Sequence, residues 1–553
     1  MRRMSILWWL TPIMAGAITG AVASAINHFI FYSWGIFYED ALREKTLFFI
    51  FSFTGLVLSY FLIHLLALFR TPKSSFHTIL EAIHLTPHGV NMREALVKTT
   101  SAISTTVFGG ASGPEGAAAV LGGGLSVWLS RVLKARIDAR KALLMGVAAG
   151  ISASFKTPLT GALFALELPY RRDLEIEPFI EASLASSSSY LVAVALNSPP
   201  LLSGLQIHVA SVPLLVLPVA MGFGLITAGL VYLFTEAYHR GEALSKALLL
   251  RAGYPLMLVV GGVVLGVVGF ICPFAIGPGF QMIPLLGGTA LSTLLLVMLF
   301  RPISTIFTNN FGGSGGLLLP TLLIGGTWGT ILGSVLAPDL LPVFVLMGMA
   351  AFSAGVNKVM LAPIVFIAEA FGTDAMIPVI LSTVICYVLS ASAIFYPTQP
   401  LNKLGKEELA LERFYLKVAK TSPRELDRLT AADVMTSKPI SLRFEMSVRE
   451  AFEGFSKTSF RLMPVVDNTG KLVGYVTLEE LASVSKTALD RPLHTAGIHA
   501  PLAFKEDYPV KRIIEEMIDG EADHAFVVDD RDVLRGIISG IDLVRLLLIY
   551  YTH

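Results

Sequence analysis

Phe108-Gly109-Gly110-Ala111-Ser112-Gly113 and Phe311-Gly312-Gly313-Ser314-Gly315-Gly316 are two copies of one phrase, 203 positions apart. Nine residues past each copy stands a glycine pair, Gly122-Gly123 in the first and Gly325-Gly326 in the second. Farther on, Gly146, Ala148, Ala149, Lys156, Leu159, Phe164 and Glu167 return as Gly348, Ala350, Ala351, Lys358, Leu361, Phe366 and Glu369. A duplicated apolar unit whose helices are broken by glycine places a binding site where the copies meet. The pattern points to ion transport.

Composition agrees with a membrane setting. The chain has 553 residues, 54% of them hydrophobic and only 15% charged, with mean hydropathy +0.68. Such a chain is too apolar for a soluble protein and holds several membrane spans. Charge is unevenly spread: residues 1–400 carry 38 Asp, Glu, Lys and Arg, and residues 401–553 carry 45. A soluble domain is therefore appended to a membrane domain. A net charge of +1 gives no indication of nucleic-acid binding. Cys272 and Cys386 lie in apolar stretches and read as buried small hydrophobes rather than a disulfide or metal site. The apolar run from Met4 to Phe37 is about twice the length of a signal h-region. It reads as a first span, with Arg2 and Arg3 holding the N-terminus in the cytoplasm.

Residues 4–38 and 46–69 are free of Asp, Glu, Lys and Arg, as are the tracts 182–235, 252–300, 302–338, 340–357 and 375–402. Several exceed one crossing of about 20 residues and contain internal Gly or Pro, so well over ten helical segments are expected, some not spanning fully. Residues 70–98 are polar, yet Ile79, Ile83 and Leu85 suggest an amphipathic helix. The segment 236–251, with His239, Arg240, Lys246 and Arg251, reads as a basic cytoplasmic loop joining the repeats. The membrane domain is placed at 1–402, with repeats near 40–235 and 252–402, and a charged linker with helical character at 403–430.

Beyond Leu429 the periodicity changes to that of a compact α/β domain, again duplicated. Met463–Asp467, a turn at Asn468-Thr469-Gly470, Leu472–Thr477 and a helix from Leu478 form one copy. Ala525–Asp529, Leu534–Ser539 and a helix from Gly540 form the next. Strand, turn, strand and helix, repeated at a spacing of 62 residues, predict paired βαββα modules at 431–488 and 493–550.

One carboxylate stands out. Gly113-Pro114-Glu115-Gly116 sets Glu115 among small and apolar residues, where an ionised group is costly to hold. The matching position of the second copy is Leu318, so the acid is not a packing requirement of the repeat. Helix N-termini with glycine-rich approaches offer free N–H groups and a positive field to a partly dehydrated anion. A carboxylate there competes with the anion, and on protonation it can swing away, which makes it a gate.

The sequence here resembles the CLC family of chloride channels and transporters over nearly its whole length. Gly113-Pro114-Glu115-Gly116-Ala117 is similar to the family's G-x-E-G-P motif, whose Glu is the external gate; Ala117 replaces the Pro. Gly316-Leu317-Leu318-Leu319-Pro320 resembles G-x-F-x-P, whose N–H groups line the central anion site; Leu318 replaces the Phe. The stretch Lys156–Glu167 is similar to N-x-P-L-x-G-x-L-F-x-x-E. The resemblance implies an all-α polytopic membrane domain built from two inverted-topology repeats, followed by an α/β cytoplasmic pair of CBS domains. It implies a gate at Glu115 and an anion site at Ser74, Gly113, Gly116, Gly316, Leu317 and Leu318.

Departures from the family bear on mechanism. The G-S-G-I-P motif should fall at Lys73-Ser74-Ser75-Phe76-His77, where the flanking Gly and the Pro are gone. Ser74 then either lines the pore or caps a helix at the surface. The family's pore Tyr should fall near Asn402, where no Tyr aligns; Tyr396, six residues earlier, is a candidate substitute. The exchangers' inner proton-relay Glu directly follows the position of Glu167, and here that residue is Leu168. Leucine carries no proton, so passive chloride conduction is expected, with proton-coupled chloride exchange as the alternative. Lys156 and Lys358 are either cations at the mouths of the pathway or snorkelling helix ends.

Thr477-Leu478-Glu479-Glu480 and Ser539-Gly540-Ile541-Asp542 resemble the [S/T]-x-x-D element of CBS domains. Thr477, Glu480, Ser539 and Asp542 are thus candidates to hold an adenine nucleotide, ATP, ADP or AMP, against a purely structural or dimerising role for the pair. The expected protein is a homodimer in a cell membrane, with chloride as substrate, lipid around it and both termini cytoplasmic. No nucleic-acid partner, required cofactor or metal site is expected. The absence of a nucleophile–base pair or metal-ligand spacing argues against an enzyme, and the absence of an acid cluster in the membrane part argues against a cation transporter. A non-conducting membrane sensor conflicts with the intact glycine loops and Glu115.

Overall fold

The computed structural model describes residues 6–67, 74–84, 89–135, 137–202, 205, 207, 209, 212–213, 215–403, 415, 429–458, 460–484, 489–520 and 522–552. It divides into two units, Met1–Lys403 and Leu404–His553. Most of the expected linker at 403–430 lies outside the described residues.

The first unit is helical. Its first half holds α1 (Ile6–Arg43), α2 (Leu47–Leu66), α3 (Ser75–His84), α4 (Met92–Val107), α5 (Glu115–Val132), α6 (Ala139–Phe155), α7 (Pro158–Glu167) and α8 (Phe179–Ala195). There follow α9 (Val216–Ile271), α10 (Leu291–Asn310), α11 (Leu318–Leu336), α12 (Leu341–Asn357), α13 (Leu361–Phe371) and α14 (Met376–Leu389). Among the described residues, six helices are long and apolar enough to cross a membrane. Helices α7 and α13 have 10 and 11 residues, a length of about 15 Å that stops well short of a hydrocarbon core.

One expectation is corrected. The stretch 236–251 is not a loop but part of α9, which continues to a break at Gly253, where φ is 75° and ψ is −177°. Its charges support the helix locally: Arg240 pairs with Glu236 and Lys246 with Glu242, both at i,i+4 spacing. A run of alternating charge read as a loop because its polarity masked this spacing. Gly253 supplies the turn that the basic residues do not.

The repeated residues sit at equivalent places in the two halves. Helices α5 and α6 cross at Gly122 and Gly146, and α11 and α12 cross at Gly325 and Gly348. A Cβ on Gly122 would stand 2.4 Å from the Gly146 carbonyl oxygen, and one on Gly325 would stand 2.1 Å from that of Gly348. Only glycine allows these backbones to touch. Helices α6 and α12 both end on a lysine in the left-handed region, Lys156 with φ 58° and Lys358 with φ 55°. The chain reverses there before the short helices α7 and α13.

The second unit holds two βαββα copies, as the sequence predicts. In the first, β2 (Leu442–Arg443) runs parallel to β3 (Leu462–Val466), which pairs antiparallel with β4 (Leu472–Thr477). In the second, β5 (Ala503–Lys505), β6 (His524–Val528) and β7 (Leu534–Ser539) repeat that register. β1 (Thr436–Ser437) precedes the first copy but pairs with β7 of the second, so the two copies are interlaced. Helix α15 (Ala431–Val434) leads in, α16 (Val448–Ser456) and α18 (Val510–Asp519) cover the sheets, and α17 (Leu478–Ser483) and α19 (Gly540–Thr552) follow β4 and β7.

The glycine crossings predict a specific sensitivity. Gly146→Leu and Gly348→Leu force apart touching backbones, at a cost of about 3 kcal/mol or more each. In detergent, each variant is expected to lose the monodisperse size-exclusion peak of the parent. A normal peak and an unchanged melting temperature would contradict this packing.

Candidate functional site

The two glycine phrases lie back to back, and their hydrogen bonds are reciprocal. Gly113 N–H donates to Gly316 O at 2.9 Å, and Gly316 N–H donates to Gly113 O at 2.8 Å. Ala111 N–H donates to Thr308 Oγ1 at 2.9 Å, and Ser314 N–H donates to Thr105 Oγ1 at 3.0 Å. Within each copy the same turn closes, Gly110 N–H to Thr105 O and Gly313 N–H to Thr308 O. Bonds that exchange partners in this way relate the copies by a local two-fold axis. Gly109 and Gly312, with φ of 93° and 109°, make the equivalent left-handed turns.

This contact sets the first residues of α5 and α11 beside each other, and Glu115 lies between them, fully buried. Its Oε1 accepts from the Leu319 N–H at 3.1 Å, and the Leu318 N–H also faces the carboxylate. Its Oε2 has no hydrogen-bond partner among the described residues. The carboxylate therefore occupies the N-terminal field of α11, where free N–H groups favour an anion. The three glycines expected at the site surround it. A Cβ on Gly113 would stand 1.8 Å from Glu115 Oε2, one on Gly316 2.2 Å from Oε1, and one on Gly116 2.4 Å from Gly316 N. Leu317 and Leu318 are buried at the start of α11.

Ser74 is buried, which removes the surface-cap reading. Its hydroxyl bonds His77 Nδ1 at 2.7 Å. Ser75, which the sequence did not single out, ties α3 to the site: its N–H donates to Gly315 O at 2.9 Å. The Ser75 hydroxyl is buried without a partner among the described residues, 2.7 Å from where a Cβ on Gly116 would be. The signal was present in the paired serines at 74 and 75. Tyr396 is also buried here. Its ring centroid lies 4.8 Å from that of His77, its hydroxyl donates to Asn357 Oδ1 at 3.0 Å, and it neighbours Ser74 and Glu115. Tyr396 thus lies beside the site, as the family Tyr would, though its place in the sequence differs.

A second reciprocal pair lies where α7 meets α13. The Glu167 carboxylate accepts from the N–H groups of Met360, Leu361 and Ala362 at 3.1, 2.7 and 2.7 Å. The Glu369 carboxylate accepts from the N–H groups of Leu159 and Thr160, both at 2.8 Å, and from the Thr160 hydroxyl at 2.6 Å. Each copy's last acid caps the other copy's helix, satisfying N–H groups that the helix itself cannot. Sequence comparison of the copies finds both acids but not this role. Leu168 is buried behind Glu167, and its carbonyl accepts from Gln399 Nε2 at 2.8 Å. Lys358 is buried and donates to the carbonyl and hydroxyl of Ser390, while Lys156 is half-buried. Lys358 is accordingly no open-mouthed cation.

In the second unit, a cavity of about 410 Å³ is lined by Thr436, Phe460, Arg461, His524, Ser539 and Asp542, among others. Thr477 and Glu480 do not line it. Both hydroxyl–acid pairs are closed capping boxes: Thr477 Oγ1 meets Glu480 Oε2 at 3.0 Å, and Ser539 Oγ meets Asp542 Oδ2 at 2.6 Å. Glu480 also pairs with His499, whose ring stacks on Tyr475. The two elements are alike in backbone role and unlike in access.

Residues 54–391 match the family model described as voltage gated chloride channel, and residues 431–486 and 498–549 match the CBS domain. The chain belongs to the voltage gated chloride channel family and carries a tandem CBS pair. It is 30% identical over 300 residues to a protein of Salmonella paratyphi A named H(+)/Cl(-) exchange transporter ClcA, covering 49% of this chain and 60% of that relative. The fold resembles a slow cyanobacterial Cl−/H+ antiporter, with TM-score 0.63, 16% identity and coverage of 71% of this chain and 96% of that one. It also resembles a eukaryotic CLC transporter, with TM-score 0.59, 17% identity and coverage of 97% and 99%. The membrane unit is a multi-pass CLC domain.

The crossed caps predict that Glu167→Ala leaves three N–H groups of α13 without their acceptor. Hydrogen bonds to a charged group contribute about 1.5–3 kcal/mol each, not additively. A melting temperature in detergent lower by several degrees is expected, with Glu369→Ala behaving alike. Unchanged melting in both would show the caps to be unimportant.

Proposed function

We propose that this CLC family member moves chloride across a membrane through the site between α5 and α11, with Glu115 as its gate. The observation that carries this reading is the Glu115 carboxylate at the N-terminus of α11, one oxygen on the Leu319 N–H and the other without a partner among the described residues. Helix N–H groups bind the ion directly, and the buried guanidinium of Arg301 adds a positive field on the same carboxylate site. When Glu115 is protonated or displaced by chloride, the N-terminus of α11 becomes available to the ion. The expected assembly is a homodimer in the cell membrane, each subunit with its own pathway and both termini cytoplasmic.

Proton-coupled exchange is the reading we favour for the energetics. Two considerations support it: a carboxylate seated in the anion path is a group that a proton can neutralise, and the Salmonella relative is named as an H(+)/Cl(-) exchanger. A specific residue favours the other reading: Leu168 removes the carboxylate that serves exchangers as inner relay, which suits passive conduction.

The CBS pair is proposed to bind an adenine nucleotide at the cavity holding Ser539 and Asp542, the acid taking ribose hydroxyls and the Ser hydroxyl meeting phosphate. Thr477 and Glu480 are the weaker candidates, because Glu480 is engaged by His499.

Two outcomes are expected. In liposomes, Glu115→Gln and Glu115→Ala raise chloride efflux and flatten its pH dependence; unchanged flux and pH response in both would refute the gate. ATP raises the melting temperature of the full chain, and Asp542→Ala removes that shift. No shift with ATP, ADP or AMP would contradict nucleotide binding.

A further inference from the structure

Helix α3 is ten residues long and buried throughout, yet it carries His77, Glu81 and His84. Positions 77, 81 and 84 fall at i, i+4 and i+7, on one stripe of a helix. Burying three titratable side chains in a membrane domain is costly, and such groups mark ion or proton pathways.

The two ends of the stripe have definite surroundings. At one end, Ser75 N–H bonds Gly315 O, Ser74 Oγ bonds His77 Nδ1, and the His77 ring packs against Tyr396. This is the edge of the site that Glu115 occupies. At the other end, His84 Nε2 lies 2.9 Å from the Pro169 carbonyl, directly after Leu168. The His84 ring lies 5.7 Å from that of Tyr170. The Tyr170 hydroxyl donates to Glu175 Oε2 at 3.2 Å, and Glu175 pairs with Arg140 at 2.9 Å and Lys403 at 2.5 Å. Lys403 is more than a third exposed, so this cluster reaches solvent. From His77 to His84 the helix advances about 10 Å.

We propose that α3 carries the proton route of this transporter, His84, Glu81 and His77 standing in for the carboxylate absent at Leu168. The proposal rests on the exchange reading above. A proton taken up at the Tyr170–Glu175 cluster binds a ring nitrogen of His84. It passes to the Glu81 carboxylate, then to His77, and through the Ser74 hydroxyl and water in the anion site to Glu115. At each step one N–H or O–H bond breaks as the next forms, and no electrons are exchanged. Titratable and charged groups near its two ends include Glu115 from α5 with the buried Arg301 of α10 acting on it, Tyr396, and the cluster of Tyr170, Glu175, Arg140 and Lys403.

The test uses the full chain in liposomes with a chloride gradient, following chloride efflux and proton uptake in the same vesicles. Glu81→Gln and His84→Gln are each compared with the parent. Loss of a general acid–base group predicts proton movement slower by about 100-fold or more, with chloride flux retained as proof of folding. Coupled proton uptake that persists in either folded variant at the parent's stoichiometry overturns the α3 route while leaving exchange intact. Chloride flux without proton uptake in the parent overturns exchange and the route with it, leaving only the Glu115-gated pathway. Should Glu81→Gln fail to fold, His84→Gln decides alone.

Discussion

Two hydrogen bonds between Gly113 and Gly316 join the halves of the membrane unit, and with the Glu115 carboxylate seated against them a Cβ on either α-carbon would clash with it. That contact fixes the distance between the first residues of α5 and α11. It brings two sets of unsatisfied N–H groups to the centre of the domain, where burial would otherwise penalise them. Glu115 answers one set. The glycine crossings of α5 with α6 and of α11 with α12 hold those helices at the angle this contact needs.

Symmetry and its violation divide the labour. The reciprocal bonds among Thr105, Ala111, Thr308 and Ser314, and the crossed caps of Glu167 and Glu369, are two-fold and structural. The departures from two-fold symmetry gather at the site: Glu115 in one copy faces Leu318 in the other, and buried α3 approaches the centre from one side. A symmetric scaffold held by paired backbone bonds and reciprocal hydroxyl and carboxylate contacts tolerates such departures, because they fall on side chains outside those pairs.

Much of this was legible in the sequence because glycine and buried charge leave strong marks. The repeated phrases fixed which backbones meet, and the four long strands of the second unit fall within a residue of their expected bounds. Glu115 was legible as a lone acid among small residues. Other features were not. The 236–251 segment looked like a loop because charge obscures helical spacing when apolar residues are few. The roles of Glu167 and Glu369 depend on contacts about 200 residues apart, which a repeat comparison pairs with the wrong partner, each acid with its twin. Ser75 and the stripe on α3 were hidden by the polar character of 70–98, which in a soluble context means exposure. The two CBS hydroxyl–acid pairs look alike in sequence, and only the neighbouring His499 tells them apart.

The central claim is that the Glu115 carboxylate stands in for an anion at the start of α11. The most direct measurement is anomalous diffraction from crystals of the Glu115→Gln variant grown in bromide. The account predicts a bromide peak within hydrogen-bond distance of the Leu319 N–H, framed by Gly113, Gly116 and Gly316. Bromide bound elsewhere in the membrane unit, with this position empty, would contradict it.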